Sequence, residues 1–179
     1  MAMAERELLE SINSPSSHIR EDAAQAILSP DFPYFVDYDI IIPKLLLIAQ
    51  REVQPSEEYY VALTPRNLAI RALGRLQARE AVPVLIEWLV PKEGQNLVMD
   101  RLMQFGHAGY ALVDIGKPAV GPLIQTIMSQ GTSKLGNECL KVAVEIIGTD
   151  ELAKVISERM DQVLKSLRSH GSMLGRLHP

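Results

Sequence analysis

Apolar helical segments recur along this chain at a nearly fixed interval, and that recurrence restricts the fold more than any other feature. IIIPKLLLIA at 40–49, AVPVLIEWLV at 81–90 and AVGPLIQTIM at 119–128 share one pattern, and their prolines, Pro43, Pro83 and Pro122, stand 40 and 39 residues apart. A proline-free version, ELAKVISERM, follows at 151–160. The second of these segments carries Val84, Leu85, Ile86, Trp88 and Leu89 with Glu87 as its one charge, so it needs cover on several sides. A lone hairpin cannot supply that cover. Stacked neighbouring units can.

Each recurring segment is preceded by a different kind of helix. In LTPRNLAIRALGRL, Thr64 can cap a helix with Pro65 at its first position, where the missing N–H costs nothing. Leu68, Ala69, Ala72, Leu73 and Leu76 then form one apolar stripe, which leaves Arg66, Arg71, Arg75 and Arg79 on faces expected to meet solvent. The block R-x-x-A-x-x-A-L at 66–73 has its counterpart in Arg20, Ala23, Ala26 and Ile27, 46 residues earlier. Its small residues let two helices approach closely while the large one fills the seam. Ala72-Leu73-Gly74 recurs as Asp114-Ile115-Gly116 and Ile146-Ile147-Gly148, with each glycine suited to a left-handed helix C-cap. The third unit departs most, because Gly106 and Gly109 stand where an unbroken first helix would run, so that helix is expected to be split or displaced.

Together, HIREDAAQAIL, RNLAIRALGRLQAREAVPVLIEWL and DIGKPAVGPLIQTIM resemble HEAT repeats, in particular the short variety named after phycobilisome lyases; the resemblance covers roughly residues 17–160. It implies an all-α chain folded as a short right-handed α-solenoid of about four helical hairpins, one domain over 1–179. The expected layout is an N-terminal helix at 3–13, repeats at about 15–50, 64–91, 95–129 and 136–169, and a flexible tail at 171–179. Families of this type mostly bind proteins through a curved surface, some relatives bind or detach tetrapyrroles, and a distinct HEAT-like group excises damaged bases from DNA. Fold alone does not choose among these.

Composition trims the choice. A formal net charge of −4 argues against a general nucleic-acid binder, which needs a basic surface to displace counterions. The single cysteine, Cys139, cannot form an internal disulfide, which points to a reducing, cytoplasmic setting. The start, MAMAERELLESI, is charged too early for a signal peptide, and the longest apolar runs are too short to span a bilayer. His18, His107, His170 and His178 are scattered, and no HExxH, CxxC, GxSxG or glycine-rich phosphate loop occurs. Cys139 sits in NECLKVAVEIIG and reads as a structural thiol with no activating partner nearby. No catalytic site, cofactor or metal is expected; Asp31, Asp37 and Asp39 do not fit an EF-hand loop.

The remaining candidates are aromatic. SPDFPYFVDYDIIIP at 29–43 places Phe32, Tyr34, Phe35 and Tyr38 within seven residues, and REVQPSEEYYVALTP at 51–65 adds Tyr59 and Tyr60. Long connections of this kind are often functional, and exposed aromatics are common interface anchors. Two roles are open for these rings: they seal the first unit, which lacks a preceding neighbour, or they meet a partner. Trp88 likewise belongs either to the core or to the curved face. The expectation is a non-enzymatic protein-binding scaffold with Phe32, Tyr34, Phe35, Tyr38, Tyr59, Tyr60 and Trp88 as candidate contacts. A tetrapyrrole-handling protein is the alternative, and a DNA-binding glycosylase ranks below it. Leu152, Val155, Ile156, Met160, Val163, Leu164 and Leu167 form a stripe on a C-terminal helix over 150–169, which caps the array or meets another subunit to form a homo-oligomer.

Overall fold

The computed structural model describes residues 2–34, 36–51, 64–90 and 106–174. Those residues are helical throughout, without strands, in the order α1 (Ala2–Ile12), α2 (Ser17–Leu28), α3 (Tyr38–Ala49), α4 (Pro65–Arg75), α5 (Val82–Glu87), α6 (His107–Ile115), α7 (Lys117–Gln130), α8 (Lys134–Ile147) and α9 (Thr149–Leu174). Packing follows sequence order. The first helices α2, α4, α6 and α8 each pack on the next, and α3, α5 and α7 lean on α4, α6 and α8 respectively. This layering of hairpins is that of a short helical solenoid. No helix among the described residues is long and apolar enough to cross a membrane.

The caps explain the boundaries. Thr64 Oγ1 accepts from the Asn67 N–H at 3.2 Å with Pro65 in the first turn, as its sequence predicts. Asp37 Oδ1 accepts from the Asp39 N–H at 3.0 Å to open α3, and Ser133 Oγ accepts from the Gly136 N–H at 3.1 Å to open α8. Gly116 and Gly148 end α6 and α8 at φ 73° and 79°, in the positive-φ region expected of them. Gly106 is the N-cap of α6, so the third unit's described first helix begins only there, and Gly109 lies buried inside it. Residues 91–105, which complete that unit's sequence, lie outside the described residues.

Gly74 corrects the repeat reading. It lies inside α4 and caps nothing: a Cβ placed on it would come within 2.6 Å of the Ala111 Cα and 2.8 Å of its Cβ. The glycine is needed because α4 and α6 touch there, backbone against backbone. The left-handed position falls three residues later, on Gln77 at φ 51°. Gln77 N–H donates to the Gly74 carbonyl at 2.8 Å and Ala78 N–H to the Leu73 carbonyl at 3.0 Å, the paired bonds of a Schellman cap. Two other boundaries also shift. α5 stops at Glu87, which leaves Trp88 in the turn that follows, and α9 continues through Gly171 to Leu174 where a tail was expected.

The core runs through the middle of the array. Leu45, Leu68, Leu73, Leu85, Leu112, Leu123 and Val142 are fully buried, drawn from six successive helices. Small residues line the first-helix layer: Ala23 and Ala24 in α2, Ala69 and Ala72 in α4, Ala108 and Ala111 in α6, and Ala143 in α8 are all buried. Close approach between these helices therefore comes from side-chain size along one stripe, but in α2 the sequence pattern misses at one position: Ala26 is exposed and Ala24 is buried instead.

Candidate functional site

The aromatic connection between α2 and α3 is braced at both ends. Arg75 of α4 donates from Nη2 to the Ser29 carbonyl at 3.3 Å, and the Asp37 N–H donates to Glu5 Oε1 of α1 at 2.8 Å. Between these anchors Phe32–Tyr34 form one 3-10 turn, closed by Phe32 N–H to the Ser29 carbonyl and Tyr34 N–H to the Asp31 carbonyl. The two roles open for these rings are divided among them. Phe32 is buried in the core and acts as the seal. Tyr34 is 82% exposed and Tyr38 41% exposed, so both face outward. Phe35, Tyr59 and Tyr60 lie outside the described residues.

Beside this connection, α1 and α3 enclose an open groove of about 500 Å³ lined by Glu5, Arg6, Leu9, Glu10, Asn13, Ile40 and Lys44. Its walls are mostly apolar. Charge is balanced around it: Arg6 is paired with Glu10 at 2.8 Å, leaving Glu5 and Lys44 as a carboxylate and an ammonium of opposite sign. Glu5 is only 2% exposed, and its Oε2 receives no hydrogen bond from any described residue. Its role is to tie α1 to the start of α3. Further along α3, Leu47 stands 63% exposed on the same outward side as Ile40 and Lys44, which fall three or four residues apart. Ile40 and Leu47 thus give α3 an exposed apolar edge beside the groove. Of the residues on this face, Glu5, Arg6 and Leu47 do not stand out in the sequence. Ile40 and Leu47 belong to an unbroken apolar run, where periodicity does not separate the buried face from the open one.

Trp88 is not part of that face. It is half-buried against the core, and the Arg66 guanidinium carbon lies 4.0 Å above its ring centroid. The arginine series therefore needs correction as well. Arg66, Arg71 and Arg75 are half-buried and turned toward neighbouring helices; only Arg79 is exposed. Arg75 and Arg71 of α4 also act across the layer on Asp114 of α6. Burial raises the Asp114 carboxyl above its usual range, and the two guanidiniums oppose that shift. Long arginine stems cover apolar surface between hairpins while their heads find partners at its edge.

Cys139 is fully buried, and burial first, with Glu138 second, pushes its thiol up to about 11. At neutral pH it is a protonated, inaccessible thiol, which is the structural role its helix suggests. Native protein should react with a thiol reagent far more slowly than denatured protein, in a stopped comparison at pH 8. The linkage has a definite sign. A thiol that ionises near 11 when folded and near 9 when unfolded stabilises the fold fully below pH 9, and that contribution disappears as pH rises toward 11. A denaturation series across this window checks it, with Cys139→Ala as the variant that should lose the dependence. Among the described residues no three His, Cys, Asp or Glu side chains converge on a metal site. His107 is buried in α6 and His18 is exposed, 3.7 Å from Glu21.

Comparison with protein-family models, curated proteins and solved structures finds no match.

Proposed function

We propose that this chain is a HEAT-like protein-binding module whose contact surface is the outer side of its first hairpin. The observation that carries this reading is the exposed apolar side of α3, where Ile40 lines the groove between α1 and α3 and Leu47 stands about two turns on, preceded by the 82% exposed Tyr34. A surface held in place before binding avoids most of the backbone ordering cost of association. Tyrosine adds large contact area at small rotamer cost. Asp31, Asp37 and Asp39 surround the tyrosines and favour a partner segment that carries apolar anchors flanked by basic or amide groups.

Charge separates this reading from its two competitors. A bilin would bring two propionates to a groove lined by Glu5 and Glu10, whose cations are Lys44 and an Arg6 already held by Glu10. A damaged-base excision site needs a basic groove, whereas Arg66 and Arg75 are engaged between hairpins. The reading is tested with Tyr34→Ala and Leu47→Asp. Both side chains are largely exposed, so melting temperature should change little while recovery of the partner from host lysate falls tenfold or more, as for an interface hot spot. Undiminished recovery with both variants would eliminate this face. A visible-absorbance titration with bilin serves as the control for the alternative, and the expected result is no shifted band.

A further inference from the structure

Helix α9 outruns the body that supports it. Leu152 is buried and Val155 and Ile156 are half-buried where α9 packs on α8, yet every residue from Ser157 to Ser166 is exposed. The helix nevertheless continues to Leu174, so about 27 Å of it extends beyond Ile156, the last half-buried residue among those whose side chains are described. That length of isolated helix is marginal in water, and helices in proteins owe most of their stability to packing of an apolar face. Such a face is present. Ile156, Met160, Val163 and Leu164 lie on one side at helical spacing, and the last three are 54%, 47% and 47% exposed.

We propose that this face is a homodimer interface in which two copies of α9 pack antiparallel, with Met160 beside the two-fold axis. Charge along the helix identifies the occupant as a second copy and sets its direction. In residues 149–158 Asp150, Glu151 and Glu158 outweigh Lys154 by two charges, and in 159–168 Arg159, Lys165 and Arg168 outweigh Asp161 by two. An antiparallel pair lays each acidic half along a basic half. A parallel pair would set like charge against like. With Met160 opposite its symmetry mate, Ile156 meets Leu164, a pair made twice by the two-fold axis.

The test uses the full chain. Sedimentation should give a dimer at micromolar concentration that weakens as salt is added, because the two halves attract through exposed charges. Met160→Asp should weaken dimerisation at least tenfold and leave the circular dichroism of the body intact. Direction is read from disulfides: Met160→Cys should cross-link to itself under mild oxidation, whereas Ala153→Cys should not, because its two copies would lie about 21 Å apart. The native Cys139 is buried and does not compete. Cross-linking of Ala153→Cys as readily as Met160→Cys would mean parallel helices and overturn the proposal. So would a wild-type monomer at about 100 μM, well above a typical micromolar dissociation constant, because another segment or another protein would then cover the stripe.

Discussion

Gly74→Ala should destabilise the protein by about 3 kcal/mol, toward the upper end of what overpacking costs. The sign is the informative part. Alanine is favoured over glycine in a helix interior by about 1 kcal/mol, so in open surroundings the same change would stabilise. At Gly74 the new methyl would meet the Ala111 Cα at 2.6 Å and its Cβ at 2.8 Å, and the nearer of these is backbone, which cannot rotate away. Relief requires α4 and α6 to separate along the first-helix layer. Gly121 provides the control, because it lies inside α7 with nothing within 4 Å of a Cβ. Gly121→Ala should raise stability by about 0.5–1 kcal/mol. Chemical denaturation of the two variants tests the packing directly: equal effects, or stabilisation at Gly74, would mean that α4 and α6 do not meet there.

Leu73→Ala should cost about 2–5 kcal/mol, the range for opening a cavity in a well-packed core. Leu73 is fully buried one residue before the glycine contact, so the surrounding helices cannot collapse into the space without shifting the Gly74–Ala111 approach. The midpoint of denaturant unfolding should fall without a change in slope, since the same surface is exposed on unfolding. Leu47→Ala is the matched comparison. Its side chain is 63% exposed on α3, and the expected effect is within about 0.5 kcal/mol, as for surface substitutions generally. A large effect at Leu47 would mean that the outer face of the first hairpin is covered, and the contact surface proposed there would lose its basis.

The chain's own pattern is sufficient for the helices and their order. Capping at Thr64-Pro65, positive-φ ends at Gly116 and Gly148, and the alanine stripe at 69–72 are local chemistry, readable within a few residues of each position. Periodicity also states which residues are apolar, and so which must be covered. It does not state by what. Gly74 resembles a cap by analogy with Gly116 and Gly148, and only the approach of α6 makes it a packing glycine with Gln77 as the left-handed residue. Arg66 reads as a solvated charge until Trp88 is brought beneath it from the turn after α5. Phe32 and Tyr34, two residues apart in one aromatic run, separate into core and surface because the 3-10 turn points them in different directions. Glu5 carries no local signal at all; its meaning comes from the Asp37 N–H, 32 residues away in sequence. Contacts of this kind depend on how whole helices settle against one another. Tertiary packing, which sums many weak contacts over the entire array, therefore decides the role of each of these residues.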